Sequence, residues 1–230
     1  MLKVELHAHT ADDPEDFIPY TLERLVDRVA ALGYDAIAIT LHNRQLDVEP
    51  YRAYARSRGV VLIPGVERSI EGCHTLLINF PADAAEAVET FQDLAALRSR
   101  DDGLVVAPHP YFPVSHCLGP ELDRHPDLFD AVEVHAMHAR YVDFNRRAVA
   151  WARTHGKPLV GNGDVHRLGQ LDTTWSRVDA APDPDAICAA IRAGRVEVRT
   201  EPVSLPRMLY LLASIMPSAV LRQLGFRHTG

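Results

Sequence analysis

The sequence predicts an α/β fold in which parallel strands alternate with helices and close into a barrel. Short apolar runs, such as residues 36–40 and 104–107, alternate with longer segments of helical periodicity, as expected for strands joined by helical crossovers. The 230-residue chain also has 12 histidines, and many of them directly follow an apolar run. In a parallel barrel the ends of the strands meet at one face, where active sites lie.

The composition is that of a globular protein with one main domain. Hydrophobic residues make up 47% of the chain and charged residues 24%, which disfavours disorder. The net charge is −7 and no cluster of five Lys or Arg occurs, so we expect no surface that coats nucleic acid. Cys73, Cys117 and Cys188 are too far apart to indicate a disulfide framework or a thiolate zinc site. The chain enters a strand at once, which predicts no signal peptide and a cytoplasmic protein.

The first predicted strand leads to two histidines, His7 and His9. Residues two apart on an extended chain project from the same face, so both imidazoles can bind one ion, and they suit a transition metal better than calcium or magnesium. An ordinary histidine pair at a strand edge has the same pattern. In the acidic loop that follows, Asp12 or Asp13 can reach back to the histidines, or can interact with the dipole of the next helix.

The next part of the chain predicts two helices and two strands. The helices cover residues 21–32 and 48–57, and each is followed by a glycine suited to a helix end. The apolar run at residues 36–40 reads as a strand buried on both faces, and it leads to His42. A third strand, at residues 60–66, ends at Glu67.

The middle of the chain continues the pattern with one exception. His74 stands at the start, not the end, of a short strand over residues 75–78. A helix is predicted over residues 83–99, and the strand after it leads to His109. Because His109 lies between two prolines, we expect it to be extended. His116 and His125 have no register with any predicted element, and we interpret both as loop or surface residues.

The second half of the predicted barrel supplies three more candidate ligands. A strand at residues 131–134 leads to His135, and a strand at residues 159–163 leads to Asp164 and His166. The remaining predicted elements are helices at residues 143–154 and 183–193 and strands at residues 175–178 and 195–199.

The C-terminal segment reads as an apolar helix over residues 208–220. It is shorter than the roughly 20 residues that cross a bilayer, so we expect no transmembrane segment. We predict two units, a barrel over residues 1–202 and a helix and tail over residues 203–230. The helix would pack on the barrel or on a second copy of the chain, which makes a homo-oligomer possible.

The candidate ligands share a position at or near the predicted strand ends. They are His7, His9, His42, Glu67, His74, His109, His135, Asp164 and His166. One ion takes about four to six ligands, so this set is too large for one tetrahedral ion. It fits two or three divalent ions, with Glu67 able to bridge two of them.

In these motifs the chain resembles the PHP family, the polymerase and histidinol phosphatase superfamily of metal-dependent hydrolases. The resemblance extends over about residues 2–201, and the motifs that carry it are His7-Ala8-His9, Thr40-Leu41-His42-Asn43, Pro64-Gly65-Val66-Glu67, His74, Pro108-His109-Pro110 and Gly163-Asp164-Val165-His166. It implies a distorted (β/α)7 TIM-like barrel with a metal cluster at the C-terminal ends of the strands. It also implies two or three divalent ions, zinc, manganese or iron.

Carried over by position, the resemblance implies three groups of ligands. They are His7, His9, Glu67 and Asp164 for a first ion, Glu67, His74 and His109 for a second, and His42, His166 and Asp12 for a third. His135 is either a further ligand or the partner of one. Leu41 stands where the family usually has an aspartate, which leaves open whether the third ion is bound.

The expected reaction is hydrolysis of a small phosphorylated substrate by a metal-bridged hydroxide. His42, His135 or His166 would protonate the leaving oxygen. Four arginines close to candidate ligands could bind phosphate, although for each of them a solvated surface side chain is the commoner explanation; they are Arg44, Arg68, Arg140 and Arg167. The alternatives are hydrolysis of an amide, carbamate or carboxyl ester, and a degenerate, non-catalytic module that binds metal.

Overall fold

A single mixed sheet curls into a nearly closed barrel in the computed structural model, which describes residues 1–211 and 213–214. The predicted α/β barrel is therefore confirmed. The strands of the described residues are β1 (Leu2–Glu5), β2 (Ala36–His42), β3 (Val61–Ile70), β4 (Cys73–Ile78), β5 (Leu104–Ala107), β6 (Ala131–His135), β7 (Leu159–Asn162), β8 (Thr174–Val178) and β9 (Val196–Thr200). Their order in the sheet is β7-β6-β5-β4-β3-β2-β1-β8-β9.

The helices surround this sheet. Within the described range the α-helices are α1 (Leu22–Ala31), α2 (Arg52–Ser57), α3 (Ala82–Glu86), α4 (Phe91–Arg98), α5 (Pro120–Arg124), α6 (Asn145–His155) and α7 (Pro184–Arg192). Short 3-10 turns cover Glu49–Tyr51, Pro126–Leu128 and Leu168–Gln170. The helix predicted over residues 83–99 is two helices, because Thr90 starts a new one with a capping box to Asp93.

The sheet is not wholly parallel as the alternation of elements predicted. β4 is antiparallel to β3 and β5, and β8 is antiparallel to β1 and β9. β3 and β4 form a hairpin because Glu71 and Gly72 both take positive φ angles, 49° and 83°, as a tight primed turn requires. Since β4 runs backwards, its first residues lie at the edge where β2 and β3 end. His74 therefore faces the same rim as Glu67.

The apolar core has an inner layer and two outer layers. Inside the barrel, residues such as Val4, Ala38 and Val160 pack together, and Ile187 and Ile191 of α7 pack against them. Outside, α1 and α2 cover β2 and β3, whereas α3, α4 and α6 cover the β4 to β6 side. The polar ends of the strands are thus left at one open rim.

The barrel closes where β7 approaches β8. The hydroxyl of Ser176 accepts a hydrogen bond from the Gly161 amide at 2.9 Å and donates one to the Gly161 carbonyl at 3.2 Å, in place of a backbone ladder. A Cβ atom on Gly161 would lie 2.7 Å from the Trp175 carbonyl oxygen. Only glycine permits this approach. Farther along, Ala8 pairs with Val165 in an isolated parallel bridge, which joins the first and last ligand-bearing segments.

Part of the predicted C-terminal helix is described. Residues 205–211 are helical, Leu211 is buried, and Arg207 donates to the carbonyls of Gly169 and Leu171. The rest of the predicted helix, residue 212 and residues 215–220, lies outside the described residues. No helix of the described range is long and apolar enough to cross a membrane. The division at residue 202 and the homo-oligomer stay predictions.

Replacement of Gly161 by alanine should destabilise the barrel. The added Cβ would press against the backbone of β8, and overpacking of this kind costs about 1–3 kcal/mol of unfolding free energy. Gly169→Ala is the matched control, because its Cβ would meet only Leu211 at an ordinary 3.5 Å. Urea unfolding followed by circular dichroism measures both variants. Equal midpoints for the two would contradict a close approach at Gly161.

Candidate metal centre

Glu67 lies at the middle of a ring of histidines. Its side chain is 1% exposed, and both carboxylate oxygens are in contact with imidazole nitrogens. The contacts of Oε2 are His7 Nε2 at 3.2 Å, His9 Nε2 at 3.5 Å and His42 Nε2 at 3.2 Å. Those of Oε1 are His74 Nδ1 at 2.7 Å and His109 Nε2 at 3.2 Å. Because each oxygen faces a different set of nitrogens, the carboxylate has the arrangement of a bridge between two ions.

Asp164 completes the group on the Oε2 side. Its Oδ1 lies 3.3 Å from His7 Nε2 and 3.4 Å from His9 Nε2. The two histidines share a face because the backbone stays extended beyond β1, held by hydrogen bonds from the His9 amide to the Val165 carbonyl and from the Val165 amide to the His7 carbonyl. As the two-residue spacing predicted, both imidazoles project from the same face of the chain.

Four sets of side chains in the described part of the chain have donor atoms close enough to share an ion. All donor atoms within a set lie within 4.8 Å of one another. The sets are His7, His9, Glu67 and Asp164; His42, Glu67 and His74; His9, His42 and His166; and His74, His109 and His116. Except for His116, every member is a residue that the sequence selected.

A second layer of carboxylates orients the histidines. Glu133 accepts a hydrogen bond from His7 Nδ1 at 3.0 Å and one from the His109 amide at 3.0 Å. Asp13 lies 2.8 Å from His9 Nδ1 and 3.0 Å from His42 Nδ1. When Nδ1 donates to a carboxylate, the lone pair of the neutral ring is on Nε2 and points toward Glu67. This is how outer carboxylates position metal-binding histidines.

Several buried polar atoms at the centre have no hydrogen-bond partner, and a bound cation would satisfy them. Among the described residues, His7 Nε2, His9 Nε2, His74 Nδ1 and Asp164 Oδ1 are buried and have no partner of hydrogen-bond geometry. In the neutral rings of His7 and His9, nitrogen lone pairs would face carboxylate oxygens at 3.2–3.5 Å. A transition metal ion accepts both kinds of lone pair, so these residues fit such an ion.

The electrostatics of the centre favour positive charge. Burial lowers the pKa of His7, but Asp164 and Glu67 outweigh it and hold that pKa well above its usual value. His166 behaves in the same way, since Asp164 and Asp16 outweigh its burial and raise its pKa. Burial raises the pKa of Glu67, yet His7 and His74 keep it well below the usual value. A cavity that attracts protons this strongly also attracts metal cations.

Two candidate ligands have left-handed backbone conformations. The φ angle is 27° at His109 and 49° at Asp164, and such conformations cost about 1 kcal/mol or more. The prediction that His109 is extended was wrong. Its amide donates to Glu133 and its carbonyl accepts from the Cys117 thiol at 2.9 Å, so tertiary contacts override the preference set by Pro110.

The aspartates of the first loop that contact the histidines are not the one that the family resemblance selected. Asp12, which the resemblance selected, accepts a hydrogen bond from the Thr10 hydroxyl at 3.1 Å. Asp13 contacts His9 and His42, and Asp16 Oδ2 lies 3.0 Å from His166 Nε2. The loop turns after Thr10, where the Asp13 amide donates to the Thr10 carbonyl, and this turn brings Asp13 to the histidines.

Leu41 does not leave a gap at the rim. Its side chain is fully buried in the apolar layer beneath α1 and α2, on the opposite face of β2 from His42. The carboxylate next to His42 is supplied by Asp13 instead. The contacts of His135 are those of a hydrogen-bond partner of Asp164 and not those of a metal ligand. Its Nδ1 accepts the Met137 amide, so its Nε2 carries the hydrogen that faces Asp164 Oδ2 at 3.3 Å.

The four arginines have different surroundings. Arg167 donates to the carbonyls of Phe17, His166 and Ser214, so its guanidinium holds backbone segments together. Arg68 donates to the Val88 carbonyl and to Asn43. Arg44 and Arg140 are the more exposed pair. Arg44 donates to the Asp12 carbonyl, and Arg140 lies over the ring of Tyr141.

Four residues of the centre were missed from the sequence, namely Glu5, Asp16, His116 and Glu133. Glu5 and Glu133 each stand two residues before a histidine on a strand, so their alternation with His7 and His135 was a usable signal. Glu5 accepts hydrogen bonds from the amides of Leu6, His7 and Gly163, and burial raises its pKa to about 8. His116 was interpreted as a loop or surface residue, and it does lie in a loop, but it is partly buried beside the centre. His116 lies in an irregular loop, and no sequence pattern places it beside His74 and His109.

Comparisons with known proteins agree with this fold. The family model PHP_C, described as PHP-associated, matches residues 143–196. A two-domain protein from Bacteroides vulgatus that contains a predicted PHP-like metal-dependent phosphoesterase superposes with a TM-score of 0.67 at 19% identity, over 93% of this chain and 69% of that one. PsfC from Pseudomonas syringae gives a TM-score of 0.67 at 18% identity, over 98% and 99% of the two chains. No curated protein matches the sequence.

Solved structures with other described activities share the fold. An amidohydrolase from Chromobacterium violaceum with bound sulfate has a TM-score of 0.55 at 15% identity, over 71% of this chain and 87% of that one. The lesion-specific endonuclease EndoQ from Pyrococcus furiosus has a TM-score of 0.56 at 15% identity, over 86% and 57% of the two chains.

The protein is thus an α/β barrel with a histidine and carboxylate centre at its open rim. Its fold is that of the PHP-like proteins, and the resemblance to the PHP family drawn from the sequence is confirmed.

Without metal, the protein should lose stability between about pH 6.5 and 9. Burial lowers the pKa of His42, but Glu67 and Asp13 outweigh it and raise that pKa from 6.5 to about 9, and burial raises that of Glu5 to about 8. The folded chain binds these protons more tightly than the unfolded chain, so raising the pH removes their contribution to stability. Urea unfolding of chelator-treated protein across this range measures the effect. Stability that stays constant or rises would contradict these shifts.

Asp13→Asn should weaken metal binding, whereas Asp12→Asn should not. Asparagine keeps the size of Asp13 but loses the charge that orients His9 and His42, and such losses reduce metal affinity about 10- to 100-fold. Competition with a chromophoric chelator gives the zinc affinity of both variants. Equal affinities, or a larger loss for Asp12→Asn, would show that the wrong aspartate has been assigned.

Proposed function

We propose that the protein is a metal-dependent hydrolase that cleaves a phosphoester of a small molecule. The proposal depends most on one observation, the convergence of unpartnered histidine nitrogens on Glu67 and Asp164. A fold shared with a PHP-like phosphoesterase supports the same conclusion. The centre lies at the open rim of the barrel, where enzymes of this architecture bind their substrates.

Three groups of side chains would hold two or three divalent ions, zinc, manganese or iron. The groups are His7, His9, Glu67 and Asp164; Glu67, His74 and His109; and His42 and His166 together with an aspartate of the first loop. The contacts described above favour Asp13 or Asp16 over Asp12 for that last position. Bound there, such ions lower the pKa of water and neutralise charge on a phosphate group.

The surrounding residues would bind, orient and exchange protons with the substrate. His42 and His166 are placed to hold a proton at Nε2, since each is paired with a carboxylate that favours its charged form. His135 would keep Asp164 in place through its Nε2 hydrogen bond. These three are the candidates for protonating the leaving oxygen, and His42 and His166 can do so only where they are not fully engaged as ligands.

For phosphate binding, Arg44 and Arg140 are the favoured arginines. Their side chains are exposed, whereas the guanidinium of Arg167 is engaged with backbone carbonyls. A guanidinium can hold two phosphate oxygens at once, which suits a substrate that must be held in line for attack. A net charge of −7 disfavours a long nucleic acid as substrate, because its phosphates would meet little compensating charge outside the centre.

The second candidate is hydrolysis of an amide, carbamate or carboxyl ester. An activated water attacks a carbonyl as readily as a phosphorus, and an amidohydrolase shares the fold. A non-catalytic metal-binding module is the third candidate. The presence of both Glu67 and Asp164 at the centre argues against it. We propose further that residues 1–202 form the catalytic barrel and residues 203–230 a helix and tail that pack on it.

Glu67→Gln should abolish activity and metal binding while the fold is kept. The glutamine amide has the same shape as the carboxylate but lacks the negative charge through which Glu67 would bridge two ions. We therefore expect at least about a 100-fold loss of turnover. Glu49→Gln is the control, since Glu49 is 70% exposed and pairs only with Arg52 among the contacts described here.

The assay uses p-nitrophenyl phosphate and p-nitrophenyl acetate, each with zinc or manganese, with metal content measured in parallel. Phosphate release that disappears in Glu67→Gln and persists in Glu49→Gln supports the proposal. Normal turnover in Glu67→Gln refutes the bridging role. Hydrolysis of the acetate alone would favour the second candidate.

A further inference from the structure

We infer that His116 is a metal ligand, and that with His74 and His109 it forms a nitrogen-rich site on the Oε1 side of Glu67. The inference rests on the proposed function, since it requires that the centre binds metal. The donor atoms of the three imidazoles lie within 4.8 Å of one another, a spacing that allows them to share one ion.

The loop that carries His116 is fixed against the centre. The His74 amide donates to the His116 carbonyl at 2.8 Å, which ties the loop to the start of β4. The Cys117 thiol donates to the His109 carbonyl at 2.9 Å, and the Gly119 amide donates to the Pro110 carbonyl at 2.8 Å. These contacts place the loop from both ends, so the position of His116 does not depend on its own side chain.

The imidazole of His116 faces the centre and not solvent alone. Its ring stacks on that of His74, with 4.2 Å between centroids and 20° between planes, and lies edge-on to His109 at 5.7 Å. It is partly buried, as is His74. Contact with two other imidazoles is expected of a residue that belongs to the centre and not of an isolated surface histidine.

Ligand number also favours this role. Glu67, His74 and His109 give an ion three protein ligands, one short of the usual minimum of about four. His116 adds a nitrogen that lies within 4.8 Å of those of His74 and His109. This set offers three nitrogens, whereas the group of His7, His9, Glu67 and Asp164 offers two nitrogens and two oxygens. A nitrogen-rich site selects zinc over manganese, because imidazole suits zinc and oxygen ligands suit manganese.

The test compares His116→Ala and His116→Gln with wild type and with His125→Ala. His125 is a matched control on the same side of the barrel. Its ring stacks on that of Phe91, with 4.4 Å between centroids, and not on the histidines of the centre. Each protein is stripped with a chelator and titrated with zinc and with manganese in competition with a chromophoric chelator. Cobalt absorption spectra report the nitrogen ligands independently of activity.

We expect both His116 variants to lose at least about tenfold in zinc affinity at one site, with a smaller change for manganese and a weaker cobalt band. His125→Ala should match the wild type. His116→Gln guards against misfolding in the alanine variant, and circular dichroism checks all four proteins.

Zinc binding and cobalt spectra that are unchanged in both His116 variants overturn the inference and leave the proposed function intact. A wild-type protein that binds no zinc or manganese overturns both. A loss of activity with unchanged metal binding would also overturn the role as a ligand.

Discussion

The buried negative charge of Glu67 is the constraint on which the centre depends. A carboxylate with 1% exposure would ordinarily take up a proton, because an isolated charge in the protein interior costs several kcal/mol. Glu67 stays ionised because five imidazoles from four separate segments surround it. The barrel makes this possible, since only a closed sheet brings the ends of β1, β2, β3 and β5 and the start of β4 to one point.

Bound cations would allow this acidic protein to act on an anion such as the proposed phosphorylated substrate. Glu133 and Asp13 add negative charge behind the histidines, and Asp164 adds it in front. Without cations this arrangement repels a phosphate group. With two or three divalent cations the sign of the local field reverses, so substrate binding would depend on metal and not on the surface charge of the protein. The net charge of the chain therefore does not argue against a small phosphorylated substrate that binds at the centre.

Much of the fold and the centre could be predicted from the sequence because strand ends in an α/β barrel converge. His7, His9, Glu67 and Asp164 follow from that rule and from the two-residue spacing of a strand. The antiparallel direction of β4 did not follow from the rule, and it explains why His74 belongs to the rim although it begins a strand. At Leu41 the sequence suggested that a carboxylate is missing next to His42. In the structure Asp13, from another part of the chain, supplies that carboxylate.

The remaining misses share a physical cause. Asp12 and Asp13 are adjacent in a loop, and only the turn after Thr10 decides which of them meets the histidines. His116 is placed by backbone and thiol hydrogen bonds between residues that no periodicity connects.

Glu133 could have been predicted from the sequence, because it alternates with His135 on β6. A carboxylate inside an apolar run is costly unless it is paired, and such a residue is itself a sign of a site.

The two oxygens of Glu67 divide the centre into unequal halves. Oε2 faces His7, His9 and His42, with Asp164 beside them, so this half combines nitrogen and oxygen donors. Oε1 faces His74 and His109, and no aspartate of the described residues joins them in a candidate ligand set. With metal bound as proposed, the Glu67 carboxylate would therefore couple an oxygen-containing site to one dominated by imidazole. Because ions differ in their preference for these donors, the geometry favours unlike affinities at the two sites over a symmetric pair.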